Sequence, residues 1–184
     1  MRKKNSVAEP PSRIPSAVLV PVFRGDDEEL RVVLVVRGAV GLHGGQLGLP
    51  GGKREPGDKS LLETALRETE EEIGIPQSEV EIVAELTPVD TRTTGFRVHP
   101  YLARIEPPAR WRLAPGEITG IVTPRLSKIA DPAAREEQLL SFPSWPQPRR
   151  VDCVTLEDGH LLWGLTLRLL DPVIRGLLAR EWVV

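Results

Sequence analysis

Four carboxylates crowd one short stretch of this chain: Glu68, Glu70, Glu71 and Glu72. If the stretch is helical, Glu68 is three residues from Glu71 and four from Glu72, so these three share a face. Like charges at those spacings repel by a few tenths of a kcal/mol per pair. The helix C-terminus nearby is already negative, and each anion there costs roughly 0.3–1 kcal/mol. A sequence shaped by stability alone would carry lysine or arginine at this end. Two readings follow. The run is a solvated acidic face partly offset by Arg67, or it is a face that grips a divalent cation. Hard cations take oxygen ligands and are commonly held by one or two carboxylates plus substrate phosphates. Residues 68 and 72 lie about one helical turn apart, close enough to share such an ion.

The helix that must carry these groups is predicted over Ser60–Ile73. Ser60 is a good N-cap, and Glu63 three residues later completes a capping box. Leu62, Ala65, Leu66, Thr69 and Ile73 recur at spacings of three and four, Gly74 ends the run, and Pro76 prevents its resumption. Upstream, residues 38–57 hold eight glycines and two prolines. That excludes a helix or a good strand interior, apart from a short stretch near Leu47–Leu49.

Strands are predicted at Pro15–Phe23 and Leu30–Arg37, as a hairpin across the acidic turn Gly25–Glu29, and at Val80–Leu86, Arg97–Ile105 and Ile118–Val122. Short helices are predicted at Pro124–Ala130 and Ala133–Leu140. A hairpin is expected around Asp158-Gly159, joining Val151–Leu156 to His160–Trp163. A final helix is predicted from Gly164 to Arg180, where Pro172 leaves a kink or two pieces open. Residues 1–13 read as a flexible tail and 14–184 as one domain, the size expected of a chain of 184 residues.

A net charge of −2 and 27% charged residues argue against a general nucleic-acid binder, a membrane-surface binder or a disordered chain. No run is long enough to span a bilayer. Arg2, Lys3 and Lys4 are not followed by the apolar core of a secretory signal. The single cysteine, Cys153, excludes an intrachain disulfide, and a cytoplasmic setting is expected. Cys153 itself reads as core, and the histidines lack the spacing of a zinc site.

The segment from Gly51 to Ile75 resembles the Nudix box. Arg67, Glu68, Thr69, Glu70, Glu71, Glu72, Ile73, Gly74 and Ile75 match its second half, with Thr69 at a usually apolar position. The first half has one extra residue between Gly52 and Arg67, and Asp58 where glutamate is usual. Both it and its flanks are similar to the coenzyme A diphosphatase branch. Within the box, Gly51, Gly52, Lys53, Glu55, Asp58, Thr64, Ala65, Leu66, Arg67 and Glu68 follow that branch's pattern. Upstream stand Val35, Val36 and Arg37, then His43, Gly45 and Gln46, then Leu49, Pro50, Gly51 and Gly52. Downstream stand Gly95, Phe96, Pro100 and Glu117, then Trp163, Gly164, Leu165 and Thr166. Leu49 replaces a phenylalanine, and Gly41 stands where a second arginine is often found.

The resemblance implies the Nudix fold, an α/β/α sandwich about a central mixed β-sheet. It implies metal-dependent hydrolysis of the diphosphate of coenzyme A to 3′,5′-ADP and 4′-phosphopantetheine, in a monomer or homodimer. Glu68, Glu71 and Glu72 are the implied ligands of Mg²⁺ or Mn²⁺, with Arg67 orienting carboxylates. Glu71 and Glu117 are the candidates for catalysis. Glu55 and Asp58 read as support or surface. Arg37, Gly51, Gly52 and Lys53 are the candidates for substrate binding, with Arg92 and Arg97 as further candidates for a phosphate. Two alternatives remain at this point: a Nudix hydrolase of ADP-ribose, NADH or a nucleoside triphosphate, and a non-catalytic nucleotide-binding Nudix domain.

Overall fold

The computed structural model describes residues 13–38, 44–91, 94–142 and 145–184. Gly41, His43, Arg92 and all of the predicted tail except Arg13 lie outside the described residues.

The architecture is built around one long strand, β1 (Ile14–Arg24), whose near-continuous apolar run reflects burial on both faces. β1 pairs in parallel with β8 (Phe96–Ile105), in register from Ile14 opposite Phe96 to Val22 opposite Arg104. It pairs antiparallel with β2 (Leu30–Val32) and β5 (Gly51–Lys53), while β8 pairs antiparallel with β6 (Val80–Glu85) and β7 (Val89–Asp90). A second sheet orders β4 (Leu47–Gly48), β3 (Leu34–Arg37) and β9 (Ile118–Val122). A third orders β10 (Arg135–Leu140), β11 (Arg149–Thr155) and β12 (Leu161–Trp163).

Helices cover both sides of the central sheet. Ala17 and Leu19 of β1, with Tyr101 and Ala103 of β8, pack under α1 (Leu61–Ile73) through Ala65. On the other face, Val20, Val22 and Leu102 join a larger core with α2 (Leu126–Ala130) and α3 (Gly164–Leu178). The alternation of side chains along β1 therefore places one helical layer on each side, the expected α/β/α arrangement. No described helix is long and apolar enough to cross a membrane.

Three elements differ from the sequence prediction, each for a physical reason. The predicted strand Leu30–Arg37 is divided at Val33. Its N–H donates to Pro21 O at 2.9 Å, tying it to β1, while the next residues leave to join β4 and β9. β5 forms from glycine-rich sequence because only glycine permits that approach: a Cβ at Gly51, whose φ is +146°, would overlap Ala17 O and crowd Val18. The helix expected over Ala133–Leu140 is replaced by a 3-10 turn at Pro132–Ala134 and then β10. A helix there would need an apolar face to bury, yet Leu139 is 64% exposed, and the β11 ladder satisfies the backbone instead. The final helix forms where predicted, and α3 continues through Pro172 as one helix. Leu170, Val173 and Ile174 on either side of that proline stay in the core, and this packing offsets a local cost of about 3 kcal/mol.

Candidate active site

α1 is held at both ends by the signals its sequence carries. Ser60 Oγ accepts the Glu63 N–H at 3.1 Å, and Glu63 Oε2 accepts the Lys59 N–H at 2.6 Å, one residue before the cap. Gly74, with φ +76°, donates its N–H to Glu70 O at 3.0 Å. Thr69 is buried at a position that favours an apolar residue; its hydroxyl is satisfied within the helix by Ala65 O at 2.7 Å.

The carboxylates of this helix separate into two environments. Glu72 is 4% exposed and turns inward, where Oε2 accepts the Gly51 N–H at 2.9 Å. Burial pushes its carboxyl up to about 7; the Gly51 bond and the Arg37 charge oppose the shift, and the charges of Glu68 and Glu117 add to it. Glu68 is half-buried beside Gly52, where any Cβ would overlap its carboxylate. Burial raises its carboxyl too, against the opposing Arg67 charge. Glu71 is more exposed, and its Oε2 accepts from Arg67 Nη1 at 2.9 Å.

Arg67 organises this face. Its Nε donates to Asp58 Oδ1 at 2.9 Å, and its Nη2 donates to Glu68 Oε1 at 3.0 Å, to Asp58 Oδ2 at 3.2 Å and to Lys53 O at 3.4 Å. Asp58 is buried and also accepts from Thr64 Oγ1 and the Glu55 N–H, each at 2.8 Å. The Arg67 guanidinium, with those two donors, holds the Asp58 carboxyl well below the usual carboxylate range. Asp58 is thus a structural support of the glycine loop, while Glu55 is exposed.

The opposite wall comes from β3 and the turn before β9. Arg37 ends β3 and runs past Gly48, where an added Cβ would lie 3.5 Å from its Nη1. The Gly38 N–H donates to Glu117 O at 2.6 Å. The chain before Glu117 is bound to the end of α1: the Ala114 N–H donates to Glu72 O at 3.0 Å and the Arg112 N–H to Ile73 O at 3.4 Å. Arg37 and Glu117 both act electrostatically on Glu72. The fold thus brings Glu68, Glu72, Gly51, Gly52, Arg37 and Glu117 together. Lys53 contributes its backbone carbonyl, with its side chain exposed, and Arg97 is exposed at Asp90. Sequence reasoning missed Thr64 as a partner of Asp58, a contact only six residues long that follows once Thr64 faces the loop from the first turn of α1, and Gly38 as a contact of the Glu117 turn, which carries no local signal because it joins distant segments.

Among the described residues, no three Asp, Glu, His or Cys side chains are already gathered as a cation cage. The donor set nevertheless fits a hard divalent ion. Glu72 is a buried carboxylate with a single neutral hydrogen-bond donor among the described residues, and Glu68 fills the opening left by Gly52. Two carboxylates are enough when substrate phosphates complete the coordination.

The chain is similar to known proteins in sequence and in fold. The NUDIX domain family matches residues 13–141. NudL of Salmonella paratyphi B, an uncharacterized Nudix hydrolase, is 33% identical over 161 residues, covering 84% of this chain and 78% of that protein. A MutT/nudix family protein from Enterococcus faecalis superposes with a TM-score of 0.58 at 18% identity, covering 94% of this chain and 65% of the other. The Ap4A hydrolase of C. elegans gives 0.51 at 20% identity, covering 62% and 81%. These two structural likenesses show the fold.

Two stability measurements check the site's electrostatics. The native Glu72 carboxyl, at about 7 against an ordinary 4.5, binds its proton more tightly than the unfolded chain does. Its ionisation therefore costs nothing below pH 4.5, erodes stability as pH rises to about 7, and above that costs on the order of 3 kcal/mol. Metal-free Glu72→Gln is expected to melt above wild type at pH 8, with the difference vanishing near pH 4; calorimetry at the two pH values reads this. Asp58 has the opposite sign, stabilising above its ordinary value of 3.8 and losing this contribution as pH falls below it. Asp58→Ala removes the Arg67, Thr64 and Glu55 contacts of that carboxylate while Arg67 keeps Glu68 and Glu71, and is expected to cost about 2 kcal/mol in urea unfolding at pH 7.

Proposed function

The chain belongs to the Nudix hydrolase family and is a pyrophosphohydrolase of nucleoside diphosphate derivatives, and on that premise we propose that it cleaves the diphosphate bond of coenzyme A. The products are 3′,5′-ADP and 4′-phosphopantetheine. One observation carries the choice of substrate. Two segments that resemble the coenzyme A diphosphatase branch, Gly45–Gly52 and Trp163–Thr166, meet in space: Thr166 Oγ1 donates to Leu47 O at 3.1 Å. The downstream motif is thereby fastened to β4, just ahead of the glycine pair that faces Glu68 and Glu72.

Glu68 and Glu72, with Glu71 on the outer side, would hold Mg²⁺ or Mn²⁺, which when bound neutralises phosphate oxygens and lowers the pKa of a water. Gly52 lets the Glu68 carboxylate lie directly against the loop backbone, and Gly51 orients Glu72 through its N–H. Arg37 supplies positive charge opposite Glu72 for a substrate phosphate. Water attacks one phosphorus, the bridging P–O bond breaks, and the attacking water's proton goes to a carboxylate. Arg67 occupies Glu71, which favours Glu117 as that acceptor and leaves Glu71 to complete the acidic face. Lys53 stands at the mouth of the loop as an exposed cation for the substrate's outer phosphate. The net charge of −2 favours a small-molecule nucleotide over nucleic acid, and a cytoplasmic setting suits this substrate.

Purified protein with Mg²⁺ is expected to release 3′,5′-ADP from coenzyme A faster than it turns over ADP-ribose, NADH or a nucleoside triphosphate. Equal or better turnover of ADP-ribose overturns the choice of substrate. Glu72→Gln is expected to lose on the order of 100-fold or more in kcat, the scale seen on removing one charge-stabilising group. Unchanged turnover in that variant removes the metal assignment.

A further inference from the structure

The chain before Glu117 is pinned at two places that belong to the rest of the site. The Ala114 N–H donates to the backbone carbonyl of Glu72, so this segment is anchored on the residue whose side chain lies at the centre of the acidic face. From Ala114 the chain makes a tight Pro115-Gly116 turn. Gly116 has φ +81°, and the N–H groups of Glu117 and Ile118 return to Ala114 O at 3.3 and 3.1 Å. Proline followed by glycine is the sequence such a turn requires.

The second pin is Gly38. Its N–H donates to Glu117 O at 2.6 Å, directly after Arg37. A side chain here has no room: a Cβ on Gly38 would overlap Gly116 O and lie 3.2 Å from Glu117 O. The obstacle is the backbone of the turn before β9, which cannot swing aside as a long side chain could. Two chain segments thus cross at their closest possible approach, one delivering Arg37 and the other delivering Glu117.

We infer that Gly38 is a positioning residue, which by crossing the Gly116–Glu117 backbone sets the Glu117 carboxylate opposite Arg37 beside Glu72. This inference rests on the proposed hydrolytic reading of the same site. It makes Glu117 a member of a fixed acidic set, registered on α1 through Ala114 and on β3 through Gly38. Gly38 has no functional group of its own and acts only through Glu117.

A double-mutant cycle tests this. Gly38→Ala and Glu117→Gln are measured alone and together, with kcat and KM determined for the substrate turned over fastest. Each single variant is expected to lower kcat about tenfold or more with a smaller change in KM. The double variant should fall within about twofold of Glu117→Gln, because the crossing has nothing left to position. Losses that multiply, or full turnover in Gly38→Ala, overturn the inference. If Gly38→Ala does not fold, Gly116→Ala strains the same crossing from the other side and carries the same cycle. An inert wild type counts against the hydrolytic reading alone, and the crossing is then judged by hydrogen exchange. Slow exchange of the Gly38 amide in wild type, accelerated in Gly116→Ala, supports it; fast exchange in wild type overturns it.

Discussion

A carboxylate buried against a backbone N–H is the constraint on which the rest of this structure depends. Glu72 leaves the water-facing side of its helix and reaches the Gly51 amide. One neutral donor does not repay the lost hydration of an ion, so the site stays electrostatically unfinished. A fold maintained for stability alone would place an apolar residue there. The helix ends and the glycine pair act together to hold this unfavourable group in place.

The surrounding residues make sense as the means of that holding. Gly51 and Gly52 must lack side chains, because β1 crowds the first and the Glu68 carboxylate fills the space beside the second. The partly exposed Arg67 and the buried Asp58 form a hydrogen-bonded pair that ties the loop to the helix, with Thr64 and the Glu55 N–H also bonded to Asp58. That arrangement separates supporting charge from reactive charge. Asp58 is fully neutralised, whereas Glu68 and Glu72 are destabilised by burial and so favour an added cation.

Much of this was legible in the sequence. The helix Leu61–Ile73 follows the cap, periodicity and stop signals to within one residue, and the Asp158-Gly159 hairpin forms as its turn chemistry requires. The failures share a cause. Arg135–Leu140 carries too few apolar residues for its periodicity to separate helix from strand, and the β11 ladder decides. The Gly51–Lys53 strand contradicts local propensity, and forms because β1 offers it a partner that only glycine can approach.

The sequence by itself determined the helix, its acidic face, the glycine-rich approach and hence the family, because these depend on spacings within about 25 residues of chain. Tertiary structure alone decided which carboxylate turns inward, how Arg37 and Glu117 come to face it, and that Thr166 meets Leu47 across 119 residues. Such distant pairings are set by the packing of β1, β3 and β9. No local pattern encodes them, since a side chain's environment depends on chain segments its own neighbours do not specify.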